Sequence, residues 1–228
     1  MKEIHDIVRH GLSRNLGKEK KPTKYSEILI GYLDGPDKSG AKFARLYADV
    51  ADVYVDNVVE KSQIVERIEK SDNIQVLLFV DDFVGTGNSA CAYLRELTSR
   101  LQPVLAQRPV PLKIVFAAVV AFDRGWRAVQ DVVQTLPVDV TVHVCENLDD
   151  SNRCFSESSR IFTDPVDREA AKELAIQFGK QLEKNTPLGY GGLELAIVFE
   201  DNCPNNTLPI LRAQSSGQFE WRPLFKRS

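Results

Sequence analysis

The feature that most constrains the fold is a repeated switch between apolar runs and amphipathic stretches from residue 28 to residue 144. Residues 74–80 and 112–122 are apolar without a polar residue at every second position. Such runs are typical of strands that are covered on both faces, as in parallel sheets. Helical patterns at 88–105 and 126–136 follow these two strands directly. The sequence therefore predicts an α/β fold with a mostly parallel central sheet flanked by helices.

The remaining elements complete this alternation, and the length of 228 residues suits one domain. Further strands are predicted at 28–33, 53–55, 138–144 and 193–199, and further helices at the amino terminus, 41–51, 61–70 and 165–184. We expect residues 1–24 to be an amino-terminal helix with a basic linker. Residues 25–228 would form the domain, in which 147–228 is a hood-like carboxyl-terminal extension.

The overall charge excludes some partners. A net charge of -3 creates no field that would draw the chain onto nucleic acid or an acidic membrane, so direct nucleic-acid binding is not expected. Residues 1–14 mix charged and apolar residues, and no run is long enough to cross a bilayer, so we expect a cytoplasmic protein without membrane contact.

The cysteines and histidines show no obvious metal or catalytic pattern. The four cysteines are widely spaced, with neither a CxxC pair nor a nearby histidine to complete a zinc set, which predicts reduced structural thiols. His5 and His10 fall in the predicted amino-terminal helix. His143 falls in a strand, where we expect a satisfied structural role.

The segment with the clearest chemistry is residues 76–90, where a buried strand, two acids, a glycine turn and a helix follow one another. In open α/β sheets, ligands bind at the carboxyl edge of the strands. Gly85 and Gly87 permit close approach of the backbone, and the free N–H groups at the helix start favour an anion. This order predicts a phosphate site.

The acids narrow the predicted ligand. Asp81 and Asp82 beside a phosphate require a hydrogen-bond donor, such as a ribose diol, or a cation such as Mg²⁺. We therefore predict a phosphorylated ribose whose 5′-phosphate is held by Thr86, Gly87, Asn88 and Ser89. The plain alternative is that the acids end a strand and the turn caps a helix without any ligand.

Other phosphate-binding classes fit less well. The pair Lys38-Ser39 lacks the preceding glycine of a Walker A loop, and a dinucleotide fold would place its acid after the glycines. Receiver domains also carry an acidic pair at a strand end, and Asp123 resembles their third acid. The Gly-Thr-Gly turn has no role in such a site, so the receiver domain is a minor alternative.

The strand, the acidic pair, two apolar residues and the Thr-Gly-x-Ser turn together resemble the type I phosphoribosyltransferases. The resemblance implies that Asp81 and Asp82 contact the ribose hydroxyls of phosphoribosyl pyrophosphate and that residues 86–89 bind its 5′-phosphate. It also implies Mg²⁺ held mainly through substrate oxygens, with Asp81 and Asp82 as candidate ligands. Phe83 is bulkier than is usual in this family, and Gly85 replaces the common Thr, Ser, Ala or Asp.

An earlier loop also joins a strand to a helix, at the place of the pyrophosphate loop in the resembled family. It reads Asp34, Gly35, Pro36, Asp37, Lys38, Ser39 and Gly40. Lys38 would neutralise the departing pyrophosphate, assisted by the amides of Ser39 and Gly40. A plain surface turn is the alternative.

The carboxyl-terminal part resembles a narrower group, the phosphoribosyltransferase-like proteins of bacterial conflict systems, including antiphage operons with a retron reverse transcriptase. The resemblance rests on Gly189-Tyr190-Gly191-Gly192 and on residues 202–210. It implies that Asn202, Asn205 and Asn206 face the ligand cleft, and that the partner is a reverse transcriptase or a DNA-binding protein of the operon. The alternative for the asparagines is a tight terminal turn.

Two functional hypotheses follow. In the first, the chain is an enzyme acting at the anomeric carbon of a phosphorylated ribose, with Asp81, Asp82 and Lys38 at the reacting centre and a role in antiviral defence. The family's long flexible loop between the two phosphate sites is missing, although such a loop excludes water from the intermediate. Hydrolysis of a nucleotide is therefore an alternative to transfer. In the second hypothesis, the chain is a non-catalytic module that senses a nucleotide and regulates a partner.

Overall fold

The computed structural model describes residues 1–9, 24–33, 35, 39–200, 202–214 and 219–225. His10 and most of the predicted basic linker lie outside these residues. The chain divides into two compact units, Met1–Asn147 and Leu148–Ser228. Among the described residues, no helix has the length and apolar character to span a membrane.

The described secondary structure follows the predicted alternation of strands and helices. The strands are β1 (Ile28–Tyr32), β2 (Val58–Glu60), β3 (Val76–Val84), β4 (Lys113–Phe122) and β5 (Val140–Leu148). The helices are α1 (Lys2–Arg9), α2 (Ser39–Val50), α3 (Ile64–Glu69), α4 (Asn88–Leu105), α5 (Asp123–Val133), α6 (Pro165–Leu182) and α7 (Pro209–Arg212).

The strands form one five-stranded sheet in the order β2-β1-β3-β4-β5. The pairings β1 with β2, β1 with β3, and β3 with β4 are all parallel. Strand β3 lies at the centre, with Val76 opposite Ile28 on one side and Lys113 on the other. The predicted α/β fold with a parallel central sheet and flanking helices is confirmed.

Each face of the sheet has its own apolar core because successive strand side chains point to opposite faces. Leu77 and Phe79 of β3 pack with α3, α4 and α5. Val76, Leu78 and Val80 pack on the other face with α1 and α2. Burial on both faces explains why residues 76–80 of β3 form an unbroken apolar run in the sequence.

The weak strand predicted at 53–55 is wrong. Val53 makes only an isolated bridge to Tyr25, and Val55–Asn57 is a short 3-10 helix that precedes β2. The Asn57 amide donates to the backbone oxygens of Ser26 and Ile28, each at 3.0 Å. Since these oxygens are already occupied, pairing along β1 starts only after Asn57.

The second unit contains α6, α7 and a small core of Cys154, Phe155, Ala175 and Leu208. The strand predicted at 193–199 is wrong, because Leu195 makes only single bridges, to Arg153 and to Thr207. The preceding residue, Glu194, has a φ of 55°, which turns the chain out of an extended conformation.

Candidate functional site

The acidic pair lies inside β3. This strand continues to Val84, beyond the predicted end at residue 80, so Asp81 and Asp82 precede its carboxyl end by a few residues. Asp81 stands opposite Ala118 of β4. Asp82 is only 5% exposed, and its Oδ1 accepts a hydrogen bond of 3.1 Å from the Ser39 hydroxyl. The alternation of strand side chains directs the two carboxylates to opposite faces of the sheet.

The contact between Ser39 and Asp82 joins the earlier loop to the acidic pair. Ser39 is the first residue of α2, so the structure brings the end of the predicted pyrophosphate loop beside Asp82. Gly35 is exposed and Gly40 is buried. Asp34, Pro36, Asp37 and Lys38 lie outside the described residues, so the role of Lys38 stays a prediction.

Tyr32 ends β1 just before this loop and is 4% exposed. Burial and then the Glu60 carboxylate raise the pKa of the Tyr32 hydroxyl, so this side chain stays uncharged near neutral pH. Tyr32 therefore places a neutral side chain beside the loop, which would not repel a bound phosphate.

The turn between β3 and α4 has amides that no group of the described residues occupies. Gly87 is the residue before α4 and has a φ of 77°, a conformation that favours glycine, and no side chain caps the helix. In the described part of the chain, the amides of Thr86, Gly87, Asn88 and Ser89 donate to no protein acceptor. Unpaired amides at the start of an 18-residue helix suit an anion.

The backbone of α5 supports this turn at Gly125, which the sequence analysis did not single out. A Cβ on Gly125 would lie 2.0 Å from the Gly85 oxygen, and a Cβ on Gly87 would lie 2.5 Å from the Gly125 oxygen. The first turn of α5 therefore packs directly on the glycine turn. The sequence does contain a signal for this contact. Gly125 lies in the first turn of a helix, where glycine is unfavourable, so a glycine there indicates close packing.

Asp123, which resembles the third acid of a receiver domain, is engaged in a local pair. Its Oδ2 lies 2.8 Å from Arg127 Nη2, one helical turn further along α5. The Asn147 amide also donates to Asp123 Oδ1 at 3.3 Å. Through its hydrogen bond with Asn147, Asp123 thus connects the start of α5 with the end of β5.

The two segments behind the narrower resemblance pack against each other in the second unit. The Tyr190 amide donates to the Asn205 oxygen at 2.8 Å, and the Asn206 side chain donates to the Tyr190 oxygen at 2.9 Å. Gly189 has a φ of 84°, and a Cβ there would lie 2.3 Å from the Asn206 oxygen. Close backbone packing accounts for glycine at this position.

The predicted cleft asparagines make backbone contacts. Asn206 is 4% exposed and uses its amide on Tyr190, while Asn202 Oδ1 accepts from the Cys203 amide at 2.9 Å. Asn205 contributes its backbone oxygen, which also accepts from Arg212 at 2.9 Å. These contacts favour the tight terminal turn, and contact of these residues with a ligand stays a prediction.

Arg212 organises this turn, and the sequence analysis missed it. The side chain is 3% exposed, and its Nη1 and Nη2 lie 2.6 Å and 2.7 Å from the two carboxylate oxygens of Glu183. Its Nε donates to the Thr207 oxygen at 2.9 Å. A bidentate ion pair of this kind fixes the orientation of the two side chains as well as the distance between them.

Glu194 was also missed and lies in a second charged cluster of the same unit. Glu194 is 4% exposed, and its φ is positive. Arg153 Nη2 lies 3.1 Å from its carboxylate, and Lys172 Nζ lies 3.7 Å from it. These groups line a cavity of about 500 Å³. The two cations offset the cost of burying the carboxylate.

Comparison with known proteins gives a family but no curated relative. The sequence model of the PRTase-CE family matches residues 1–227. No curated protein matches the chain. Among solved structures, the AQ2163 protein from Aquifex aeolicus is similar, with 14% identity and a TM-score of 0.39 over 64% of this chain and 71% of that one. Since the family match spans nearly every residue, the chain belongs to the PRTase-CE family and is a phosphoribosyltransferase-like protein.

Proposed function

We propose that this chain binds a phosphorylated ribose at the turn that follows β3 and acts at the anomeric carbon of the sugar. The observation that carries the proposal is that the amides of Thr86 to Ser89, at the start of α4, donate to no acceptor among the described residues. They come next along the chain after the acidic pair of β3. The amides would hold the 5′-phosphate, and the carboxylate of Asp82, on the side of Ser39, would accept from a ribose hydroxyl.

Such a reaction requires stabilisation of the negative charge that develops on the leaving group. The anomeric carbon passes through an oxocarbenium-like state as pyrophosphate or a base departs, so the groups that stabilise the departing charge lower the barrier. Ser39 lies beside Asp82 at the end of the predicted pyrophosphate loop. We expect Lys38 and the amides of Ser39 and Gly40 to contact the leaving group.

We expect one carboxylate of the acidic pair, and not both, to bind a given Mg²⁺ ion. Carboxylate oxygens are the hard ligands that Mg²⁺ prefers, and the ion commonly uses one or two of them together with substrate phosphates. Because neighbouring side chains of β3 point to opposite faces, Asp81 and Asp82 are not directed at a common point. When bound, Mg²⁺ would neutralise charge on the substrate phosphates.

Thermal unfolding with phosphoribosyl pyrophosphate and nucleoside monophosphates, each with and without Mg²⁺, tests the binding step. We expect at least one of them to raise the Tm of the wild-type chain and to have no such effect on Asp82→Asn. Asp131→Asn, an exposed acid on α5, is the matched control and should respond like wild type. No shift with any of these ligands would contradict the proposal.

A non-catalytic sensing role is the second candidate. The chain from Ser39 to Val76 is occupied by α2, β2 and α3 with short connections, so no long loop is available there to close over a reacting sugar. Release of pyrophosphate, free base or ribose phosphate would support the enzyme. Binding without any of these products would support the sensor.

The biological setting that we propose is antiviral defence, with a reverse transcriptase or DNA-binding protein of the same operon as partner. Support comes from the likeness of the two carboxyl-terminal segments to proteins of bacterial conflict systems. Phage plating on cells that carry the operon with the wild-type or Asp82→Asn chain tests this setting. Equal plating on both would contradict a defence role that depends on the ribose-phosphate site.

A further inference from the structure

A second cluster of chemically reactive groups lies where α1 meets β5, within the first unit. His143 and Cys145 are two residues apart on β5, so their side chains point to the same face of the strand. Glu3 of α1 lies against them. One ligand atom from each of the three side chains lies within 4.8 Å of the other two.

The histidine of this cluster contradicts the expectation of a satisfied structural role. Its Nε2 is buried and has no hydrogen-bond partner among the described residues. The nearest carboxylate oxygen, Glu3 Oε2, is 3.7 Å away, which is too long for a hydrogen bond. A buried polar nitrogen without a partner is costly unless another group binds it.

The spacing of these atoms suits a metal ion between them. Zinc bonds of roughly 2.0–2.3 Å in a tetrahedral arrangement separate neighbouring ligand atoms by about 3.3–3.6 Å. The separation of 3.7 Å between His143 Nε2 and Glu3 Oε2 is close to that range. The three ligand atoms lie within 4.8 Å of one another, so rotation of the side chains is needed to bring them onto a common ion.

The chemistry of the three ligands selects the class of ion. A thiolate and an imidazole favour zinc and similar transition metals, whereas Mg²⁺ prefers oxygen ligands only. Cys145 is a free cysteine, and burial raises the pKa of its thiol. Metal binding would replace the thiol proton with a metal–sulfur bond and release that proton to solvent.

We propose that Glu3, His143 and Cys145 bind one divalent transition-metal ion of the zinc type. The Glu3 side chain is 67% exposed and that of His143 is 27% exposed, so the cluster lies at the surface of the protein. Three protein ligands leave a fourth position for water or an external ligand. The bound ion would fasten α1 to the edge strand β5.

Cobalt titration of the reduced, chelator-treated full chain tests this site. We expect one Co²⁺ per chain, with the visible bands of tetrahedral cobalt and a thiolate-to-cobalt charge-transfer band, and displacement of both by Zn²⁺. Cys145→Ser should remove the charge-transfer band, and His143→Gln should weaken binding at least tenfold. Cys91→Ala alters a buried cysteine on α4 and should leave the titration unchanged.

Glu3→Gln keeps the test decisive if a β5 variant fails to fold, because Glu3 is largely exposed. It should reduce Co²⁺ affinity at least tenfold and lessen the rise in Tm caused by Zn²⁺. Absence of the charge-transfer band in wild type, or its persistence in Cys145→Ser, would overturn the proposal. A Co²⁺ affinity unchanged in both His143→Gln and Glu3→Gln would do the same.

Discussion

At the scale of single residues, the candidate site depends on contacts that each involve few atoms. Asp82 is almost completely buried and accepts from Ser39, and the backbone of Gly125 touches that of Gly85. A buried carboxylate needs its hydrogen-bond donors, and a backbone contact tolerates no added side chain. Small substitutions at these positions should therefore have measurable effects.

Ser39→Ala removes a hydroxyl that donates to the buried carboxylate of Asp82. We expect the free energy of unfolding to fall by about 1 kcal/mol, because the acceptor loses a partner without regaining water. Urea denaturation of the purified chain measures this change. Ser39→Thr keeps the hydroxyl and serves as the control. Equal stability of Ser39→Ala and wild type would show that this hydrogen bond is unimportant.

Gly125→Ala places a methyl group 2.0 Å from the Gly85 oxygen. The overlap should lower the free energy of unfolding by about 1–3 kcal/mol, despite the better helix propensity of alanine. It should also weaken ribose-phosphate binding, because the turn must shift. Gln130→Ala, at an exposed position on the same helix, is the control in urea denaturation and ligand titration. A Gly125→Ala chain more stable than wild type would contradict the packing described.

At the scale of elements, two helix ends differ in the groups that lie beside them. The start of α4 has no capping side chain, which leaves its amides for an anion. Just beyond the end of α6, the side chain of Glu183 instead forms an ion pair with Arg212 of the carboxyl-terminal turn. The first arrangement suits binding, and the second suits a rigid carboxyl-terminal turn.

Arg212→Leu should be strongly destabilising for the second unit. The substitution removes the charged partner of Glu183, whose Oε2 keeps only the Thr186 hydroxyl, and the side-chain donor to the Thr207 oxygen, at a cost of about 3 kcal/mol in free energy of unfolding. Chemical denaturation of the Trp126→Phe background, in which Trp221 is the remaining tryptophan, measures it by fluorescence. Arg222→Leu changes an exposed arginine and should cost less than about 0.5 kcal/mol. Similar values for the two variants would refute the organising role of Arg212.

At the scale of the whole molecule, ligand binding should appear as a gain in stability. A ligand present at about 100 times its Kd adds about 2.7 kcal/mol to the free energy of unfolding. For a chain of 228 residues, this gain corresponds to a rise in Tm of roughly 5–10 °C. Scanning calorimetry at increasing ligand concentration tests whether the rise follows mass action. A Tm independent of ligand concentration would contradict specific binding.

Much of the fold was determined by local sequence patterns. The bounds of α4 were predicted as observed. The central strand β3 was predicted from the apolar run at 74–80, although it continues to Val84. The glycine turn was predicted from residue types that favour one backbone conformation. These features depend on neighbours a few positions apart, which a single sequence displays directly.

Only the tertiary structure decided which distant residues meet. Ser39 reaches Asp82 across 43 positions, and Arg212 reaches Glu183 across 29. Glu3 meets His143 and Cys145 from the opposite end of the first unit. The predicted strands at 53–55 and 193–199 failed for the same reason, since pairing depends on a partner that local propensity does not specify. Sheet order and helix packing determine such contacts, and their residues follow no local period in the sequence.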